Sequence, residues 1–213
     1  MTMRQTAGSA PRRLKRREMN ELVALYQRAF WDDPAIEFLL SDQRTRGRAM
    51  DAYMRMMIRL GFADGLAQTI DGEDGLRCGS VWIAPGKAPV GIVALVRAGF
   101  LQVIASTRSL TSLRKFFALS AKIEEMHKKD VPKEHWYLAV LAVDPPQQGK
   151  GFGGFVLGPE LQEADRRGLP CYVETSKTRN VTFYERQGFV VNKEIAIPMG
   201  GPPLWTLIRE PVR

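Results

Sequence analysis

Leu22, Leu25, Tyr26, Ala29 and Phe30 recur at three- and four-residue spacing, a period that predicts an amphipathic helix from about residue 18 to Asp33-Pro34. Met50, Tyr53, Met54, Met57 and Ile58 mark the apolar face of a second helix over about residues 42–60. Methionine is a flexible gap filler, so this stripe reads as core. The pattern then changes period. Residues 66–70 and 76–83 are short apolar runs separated by Asp71-Gly72-Glu73-Asp74-Gly75, the composition of a β-hairpin. Helical spacing returns over residues 90–128, with a break near 107–111. A dense apolar run over 136–143 reads as a buried strand that stops at Asp144-Pro145-Pro146. A glycine-rich loop, a helix over 151–167 and a strand over 171–175 follow, the order of a βαβ unit. Arg166 and Arg167 suit the negative end of that helix, Gly168 suits the position past it, and Pro159 inside it predicts a kink. A short helix over 181–187 and strands over 189–197 and 204–208 complete the chain.

At 213 residues, 45% hydrophobic and 25% charged, the chain suits one α/β domain of ordinary size. We expect that domain over residues 18–213, preceded by a basic segment over residues 1–17. The longest apolar stretch, residues 90–104, is broken by Arg97 and is too short to span a bilayer. The opening residues lack the apolar segment of a secretory signal, so Cys78 and Cys171 are expected as reduced thiols of a cytoplasmic protein. Lys and Arg number 31 against 23 acids, a formal net charge of +8. Arg12, Arg13, Lys15, Arg16 and Arg17 form one basic run, read as a solvated tail. It has no interleaved aromatics and no zinc spacing, so no nucleic acid, metal or membrane partner is expected. A homodimer in which the tail becomes ordered stays open.

Gln147-Gln148-Gly149-Lys150-Gly151-Phe152-Gly153-Gly154 lies directly between a strand and a helix. Glycines let backbone amides approach a ligand, the helix start adds partial positive charge, and Lys150 adds a full one. The loop therefore reads as a phosphate site. Its spacing is not that of a nucleotide P-loop. Gly149, Gly151 and Gly154 do fit the dinucleotide G-x-G-x-x-G fingerprint, with Glu174 roughly 20 residues further on as a ribose-binding acid. An NAD-dependent oxidoreductase is thus a rival reading, although the chain after Gly154 is too short to repeat a βαβ half.

Gln148-x-x-Gly151-x-Gly153 resembles the Q/R-x-x-G-x-G/A signature of the GCN5-related N-acetyltransferases, the GNAT family. Asn180-Val181-Thr182-Phe183-Tyr184-Glu185-Arg186-Gln187-Gly188-Phe189 resembles that family's Asn…Tyr…Gly-Phe segment. The two motifs stand in the right order, one helix and one strand apart, and the resemblance covers residues 136–189. Pro132-Lys133-Glu134, Trp136-Tyr137-Leu138, Glu174-Thr175-Ser176, Arg179-Asn180, Trp205 and Arg209 are similar to the puromycin N-acetyltransferase branch. The resemblance implies a mixed, largely antiparallel sheet flanked by helices and splayed between its two central strands. It also implies acetyl-coenzyme A as donor and an amine of a small molecule as acceptor, joined in a ternary complex. A non-catalytic acetyl-coenzyme A sensor is the alternative from a different class.

By the same resemblance, the backbone of Leu141, Ala142 and Val143 pairs with the pantetheine arm, and Gln148, Gly149, Lys150, Gly151, Phe152, Gly153 and Gly154 take the pyrophosphate. Asn180 contacts the cofactor. Tyr184 touches it too and is the general acid, since a phenol near ~10 is roughly matched to a thiol near ~8.5. The base is open among Glu174, beside the splay, and His127 and His135, the only histidines. Trp31, Asp32, Glu37 and Trp82 are candidates for the acceptor pocket, because an aromatic with acids suits a cationic amine. Cys171 has no paired histidine motif, which disfavours a covalent cysteine route.

Overall fold

The computed structural model describes residues 10–212. Its strands are β1 (Arg12–Arg13), β2 (Gly65–Gly72), β3 (Gly75–Ile83), β4 (Trp136–Val143), β5 (Cys171–Thr175), β6 (Val190–Ala196) and β7 (Pro203–Arg209). They form one sheet in the order β1-β2-β3-β4-β5-β7-β6. Only β4 and β5 run parallel, joined through a crossover helix, and the other neighbours are antiparallel. This is the mixed, largely antiparallel sheet that the motifs imply.

The helices are α1 (Met19–Phe30), α2 (Pro34–Leu39), α3 (Gln43–Asp64), α4 (Ile92–Ala98), α5 (Phe100–Thr107), α6 (Leu110–Asp130), α7 (Phe152–Arg167) and α8 (Thr178–Glu185). The heptad-like stripes place Leu22, Leu25 and Tyr26 of α1 and Met50, Met54 and Ile58 of α3 in one core against the first half of the sheet. Leu157, Leu161 and Ala164 of α7 pack on the opposite face with Trp136, Cys171 and Val173. Pro159 lies inside α7, which runs unbroken to Arg167. No helix among the described residues is long and apolar enough to cross a membrane.

β4 is where the sheet changes character. Val140 faces Val81 and Leu138 faces Trp82, so Ala139 is an extra residue and the strand carries a bulge. Alternation therefore inverts along the strand: Trp136 and Leu138 face α7, whereas Val140 and Ala142 face the α1–α3 core. A bulge bends its strand and raises its twist. Pairing with β5 accordingly covers Trp136–Leu138 against Cys171–Val173 and goes no further.

The basic segment departs from the solvated tail expected of it. Arg12 and Arg13 pair with Thr69 and Gln68 at the sheet edge, and Leu14 is buried. Arg12 Nε donates to Asp71 Oδ2 at 2.7 Å while its Nη1 donates to Glu18 Oε2 at 2.8 Å. Two carboxylates on one guanidinium offset the cost of holding it against the strand. Residues 1–9 of the segment lie outside the described residues.

The far end of the sheet is pinned by one charge pair. Arg209 of β7 reaches Asp165 of α7 through two bonds of 2.7 and 2.8 Å and donates from Nε to the Gln187 carbonyl at 3.2 Å. Arg209 holds the Asp165 carboxyl below the ordinary carboxylate range, helped by the Val212 amide. Replacing the buried guanidinium (Arg209→Met) leaves this partly exposed carboxylate with the Val212 amide alone, and we expect a loss of about 1–3 kcal/mol in urea unfolding at pH 7. A depressed carboxylate contributes its stability above its unfolded pKa and loses it as pH falls through the lower folded value. Asp165→Asn should therefore show a shallower acid loss of stability than the parent.

Candidate active site

The glycine loop runs directly into α7, with Gly151 as the residue before its first turn. Gly149 and Gly151 take φ of 77° and 86°, the left-handed region that a side chain occupies only at a cost. Phe155 N–H donates to the Gly151 carbonyl at 3.1 Å, so the first intrahelical bond of α7 begins there and the amides of Phe152, Gly153 and Gly154 precede the helical ladder. A Cβ on Gly153 would come within 3.1 Å of the Phe183 ring, which packs α8 directly against the loop. Gln148 Nε2 donates to the Val143 carbonyl at 3.1 Å and ties the loop to the end of β4.

A cleft of roughly 1510 Å³ runs from this loop along β4 to Tyr184 and Asp33. Leu141, Ala142, Val143, Asn180 and every residue from Gln148 to Gly154 line it. Beyond Leu138 the edge of β4 facing β5 is unpaired, so an extended ligand chain can add to it as a strand would. Amides ahead of the helical ladder, left-handed glycines and an open strand edge together fit a pyrophosphate joined to a pantetheine arm.

Tyr184 is 6% exposed and is clamped edge-on by Phe183 and Phe189 at 5.1 and 5.6 Å. Burial raises its hydroxyl above the ordinary phenol range, with Glu174 and Asp33 adding to the shift. It keeps its proton at neutral pH, and the shift makes it a weaker acid than an ordinary phenol, less closely matched to a thiol than the sequence alone implies. Asn180 Nδ2 donates to Thr175 Oγ1 at 3.0 Å, fixing α8 to the end of β5.

Tyr184 lines the cleft, whereas Glu174, just past the paired part of β5, lies on the other face of the sheet and is not among the lining residues. Tyr184 belongs to the α7 side with Val173. Glu174 shares the other face of β5 with Tyr172, which packs on Tyr137 and on His127 of α6. Glu174 Oε1 lies 3.4 Å from His127 Nε2, with side chains 8% and 1% exposed.

The remaining candidates are placed differently. Trp82 is fully buried, edge-on to Trp136 at 6.2 Å; it is a core residue outside the cleft. Trp31 and Glu37 stand with Arg46, which lies 5.9 Å above the indole ring and 3.2 Å from the carboxylate, and neither lines the cleft. Asp32 pairs with Lys177 at 2.7 Å. His127 and His135 are buried and meet each other behind Glu174 instead of lining the pocket. Burial pushes the Cys171 thiol up to about 12, which removes it as a nucleophile. Among the described residues no cluster could hold a metal ion.

Asp33 was not among the sequence candidates. It lines the cleft, accepts from the amides of Ala35 and Ile36 at 3.0 and 3.3 Å, and takes the Ser176 hydroxyl at 3.0 Å. The signal was present as Asp-Pro, which both ends one helix and caps the next.

A dinucleotide fold needs parallel strands on both sides of its glycine turn in a repeated unit, and β4–β5 is the one parallel pair among the described residues. The profile of the acetyltransferase (GNAT) family matches residues 67–189. An uncharacterised N-acetyltransferase of Schizosaccharomyces pombe is 27% identical over 210 residues, 95% of this chain and 83% of that protein. A histone acetyltransferase HPA2 and related acetyltransferase from Corynebacterium glutamicum superposes with a TM-score of 0.67 at 19% identity, covering 97% of this chain and 98% of that one. The Drosophila melanogaster polyamine N-acetyltransferase, which forms N-acetylagmatine, superposes with a TM-score of 0.61 at 13% identity, covering 94% and 99%. The chain belongs to the GNAT family of acetyltransferases and is an acyl-coenzyme A-dependent N-acetyltransferase.

Proposed function

We propose that the enzyme moves the acetyl group of acetyl-coenzyme A directly to an amine of a small cationic molecule, with both substrates bound at once. The observation that carries this reading is the gap between β4 and β5, where a proton donor on one face and a carboxylate on the other come within electrostatic reach. Acetyl-coenzyme A supplies the acetyl group and leaves as a thiol. The amides of the glycine loop bind its pyrophosphate, and the open edge of β4 offers donors to polarise the thioester carbonyl. Glu174 takes a proton from the acceptor ammonium, and Tyr184 Oη gives one to the departing sulfur. Asp33 adds negative charge where an ammonium would sit.

A small acceptor is favoured by what covers that side. Phe116 of α6 packs on Tyr53 of α3 at 5.8 Å, and Lys115 of α6 donates to the Phe38 carbonyl of α2 at 2.9 Å. The helices between β3 and β4 thus form a wall where a peptide acceptor would need an open groove. Agmatine, the substrate class of a structural neighbour, and puromycin are rational first acceptors.

In an assay of thiol release we expect small cationic amines to turn over and peptides with a free amino terminus to be poor substrates; a preference for the peptides would overturn the small-molecule reading. Tyr184→Phe should lower kcat about 100-fold or more while acetyl-coenzyme A affinity by calorimetry stays within about two-fold. Unchanged turnover would remove Tyr184 as the acid. Gly151→Ala forces a side chain into the left-handed region at about 1–2 kcal/mol, so the Kd for acetyl-coenzyme A should rise roughly ten-fold.

A further inference from the structure

Glu174 heads a buried chain of polar atoms. Its Oε1 lies 3.4 Å from His127 Nε2, His127 Nδ1 lies 3.0 Å from His135 Nε2, and His135 Nδ1 lies 2.7 Å from the Pro132 carbonyl oxygen. The two rings are 2% and 1% exposed. A carbonyl oxygen only accepts, so His135 Nδ1 carries a proton. Burial lowers the pKa of His135, which keeps that ring neutral and leaves its Nε2 as a lone pair. That lone pair must accept from His127, so His127 Nδ1 also carries a proton. His127 Nε2 then faces the Glu174 carboxylate as a second acceptor. Two acceptors in such dry surroundings repel, and a single proton between them turns the contact into a charge-assisted hydrogen bond.

We propose that Glu174 and His127 hold one proton as a unit, with His135 and the Pro132 carbonyl fixing the tautomers behind it, and that this unit is the acceptor of the amine proton. The inference rests on the reading of Glu174 as the base. Glu174 stands on β5 one residue past the end of its pairing with β4, and His127 and His135, further from the gap, are positioning residues. In the overall reaction the ammonium gives up two protons, each leaving its bonding pair on nitrogen. One goes to the unit and later to solvent. The other replaces the proton that Tyr184 gives to sulfur.

The remaining ionisable groups around the unit do not compete. Tyr137 of β4 and Tyr172 of β5 are raised by burial, with the charge of Glu174 and hydrogen bonding to it adding to each, and Tyr184 of α8 is raised by burial with the Glu174 charge adding; these hydroxyls keep their protons and act toward the carboxylate as donors only. Burial likewise pushes Tyr53 of α3 up to about 12. Asp130 of α6 is paired with Lys193 of β6 at 2.6 Å, and the Asp33 carboxylate is held by Ser176 and two amides.

The full chain has two histidines, so nitrogen-15 labelling of histidine in the untagged protein reads both rings without substitution. We expect His135 to stay neutral with its proton on Nδ1, and His127 to show a proton on Nδ1 throughout and a second on Nε2 that is lost in one step as pH rises. That step should shift in Glu174→Gln. A neutral His135 protonated on Nε2, or a His127 step indifferent to Glu174→Gln, would overturn the shared proton. In kinetics, His127→Gln keeps a donor toward Glu174 but cannot hold the proton. The acid limb of kcat/KM should move down by about one pH unit or more and kcat at its plateau should fall roughly ten-fold, with acetyl-coenzyme A affinity unchanged. A wild-type profile in that variant, with Glu174→Gln inactive, leaves Glu174 as base and refutes the unit. An active Glu174→Gln refutes the base reading itself.

Discussion

Parallel pairing between β4 and β5 lasts from Trp136 to Leu138 on one side and from Cys171 to Val173 on the other. A strand edge opened in the middle of a sheet leaves backbone donors and acceptors that cost about 1–3 kcal/mol apiece when buried without partners. The structure keeps them at the wall of a cleft, where a ligand can satisfy them. The bulge at Ala139 produces the opening, and it also turns Leu141 and Val143 toward α7. Binding and strand geometry are therefore one constraint: straightening β4 would close the gap and rotate the lining residues into the α1–α3 core.

Such a defect survives only where the flanks are rigid. Trp82 and Trp136 lock β3 to β4 immediately before the bulge, and Cys171 and Val173 anchor β5 in the same apolar cluster. On the far side, the Arg209–Asp165 pair fastens β7 to the end of α7. α7 thereby spans the opening, with its first turn at the phosphate loop and its last turn held by the sheet. The buried indole of Trp82 belongs to this clamp, and its burial is what makes it unavailable to an acceptor.

How much of this could be read in the chain depended on the range of the interactions involved. The phosphate loop, β4, β5 and α7 carry local signals: an apolar run, left-handed glycines, a helix start. All of them lie where the pattern placed them. The glycine-loop side of the cleft was accordingly legible as structure. The acceptor half was not, because its members come from distant segments and their spacing says nothing about contact. His127 and His135 sit on either side of a helix end and meet only because the chain folds back into β4. The basic run looked like a tail because its partners Asp71 and Glu18 are chosen by sheet register and not by sequence proximity alone. An aromatic on a strand, such as Trp82, satisfies a core and a pocket equally well until the fold shows that its face of the sheet is covered by α7.

The cleft gathers charges of both signs. Lys150, Arg179, Arg186 and Lys177 line it together with Asp33, Lys177 being paired with Asp32 at 2.7 Å, and Glu174 lies close enough to shift Tyr184. On the proposed reading, a polyanionic donor is drawn to the cations beside the glycine loop and a cationic acceptor to Asp33, over distances comparable to the Debye length of about 8 Å. The same attraction bears on the product. An ammonium is attracted to the two carboxylates, but the amide that replaces it is neutral, so the interaction that draws the acceptor in vanishes when its nitrogen is acylated. On the proposed reading these buried carboxylates serve recognition and release by one physical term, and the bond-forming step itself switches that term off.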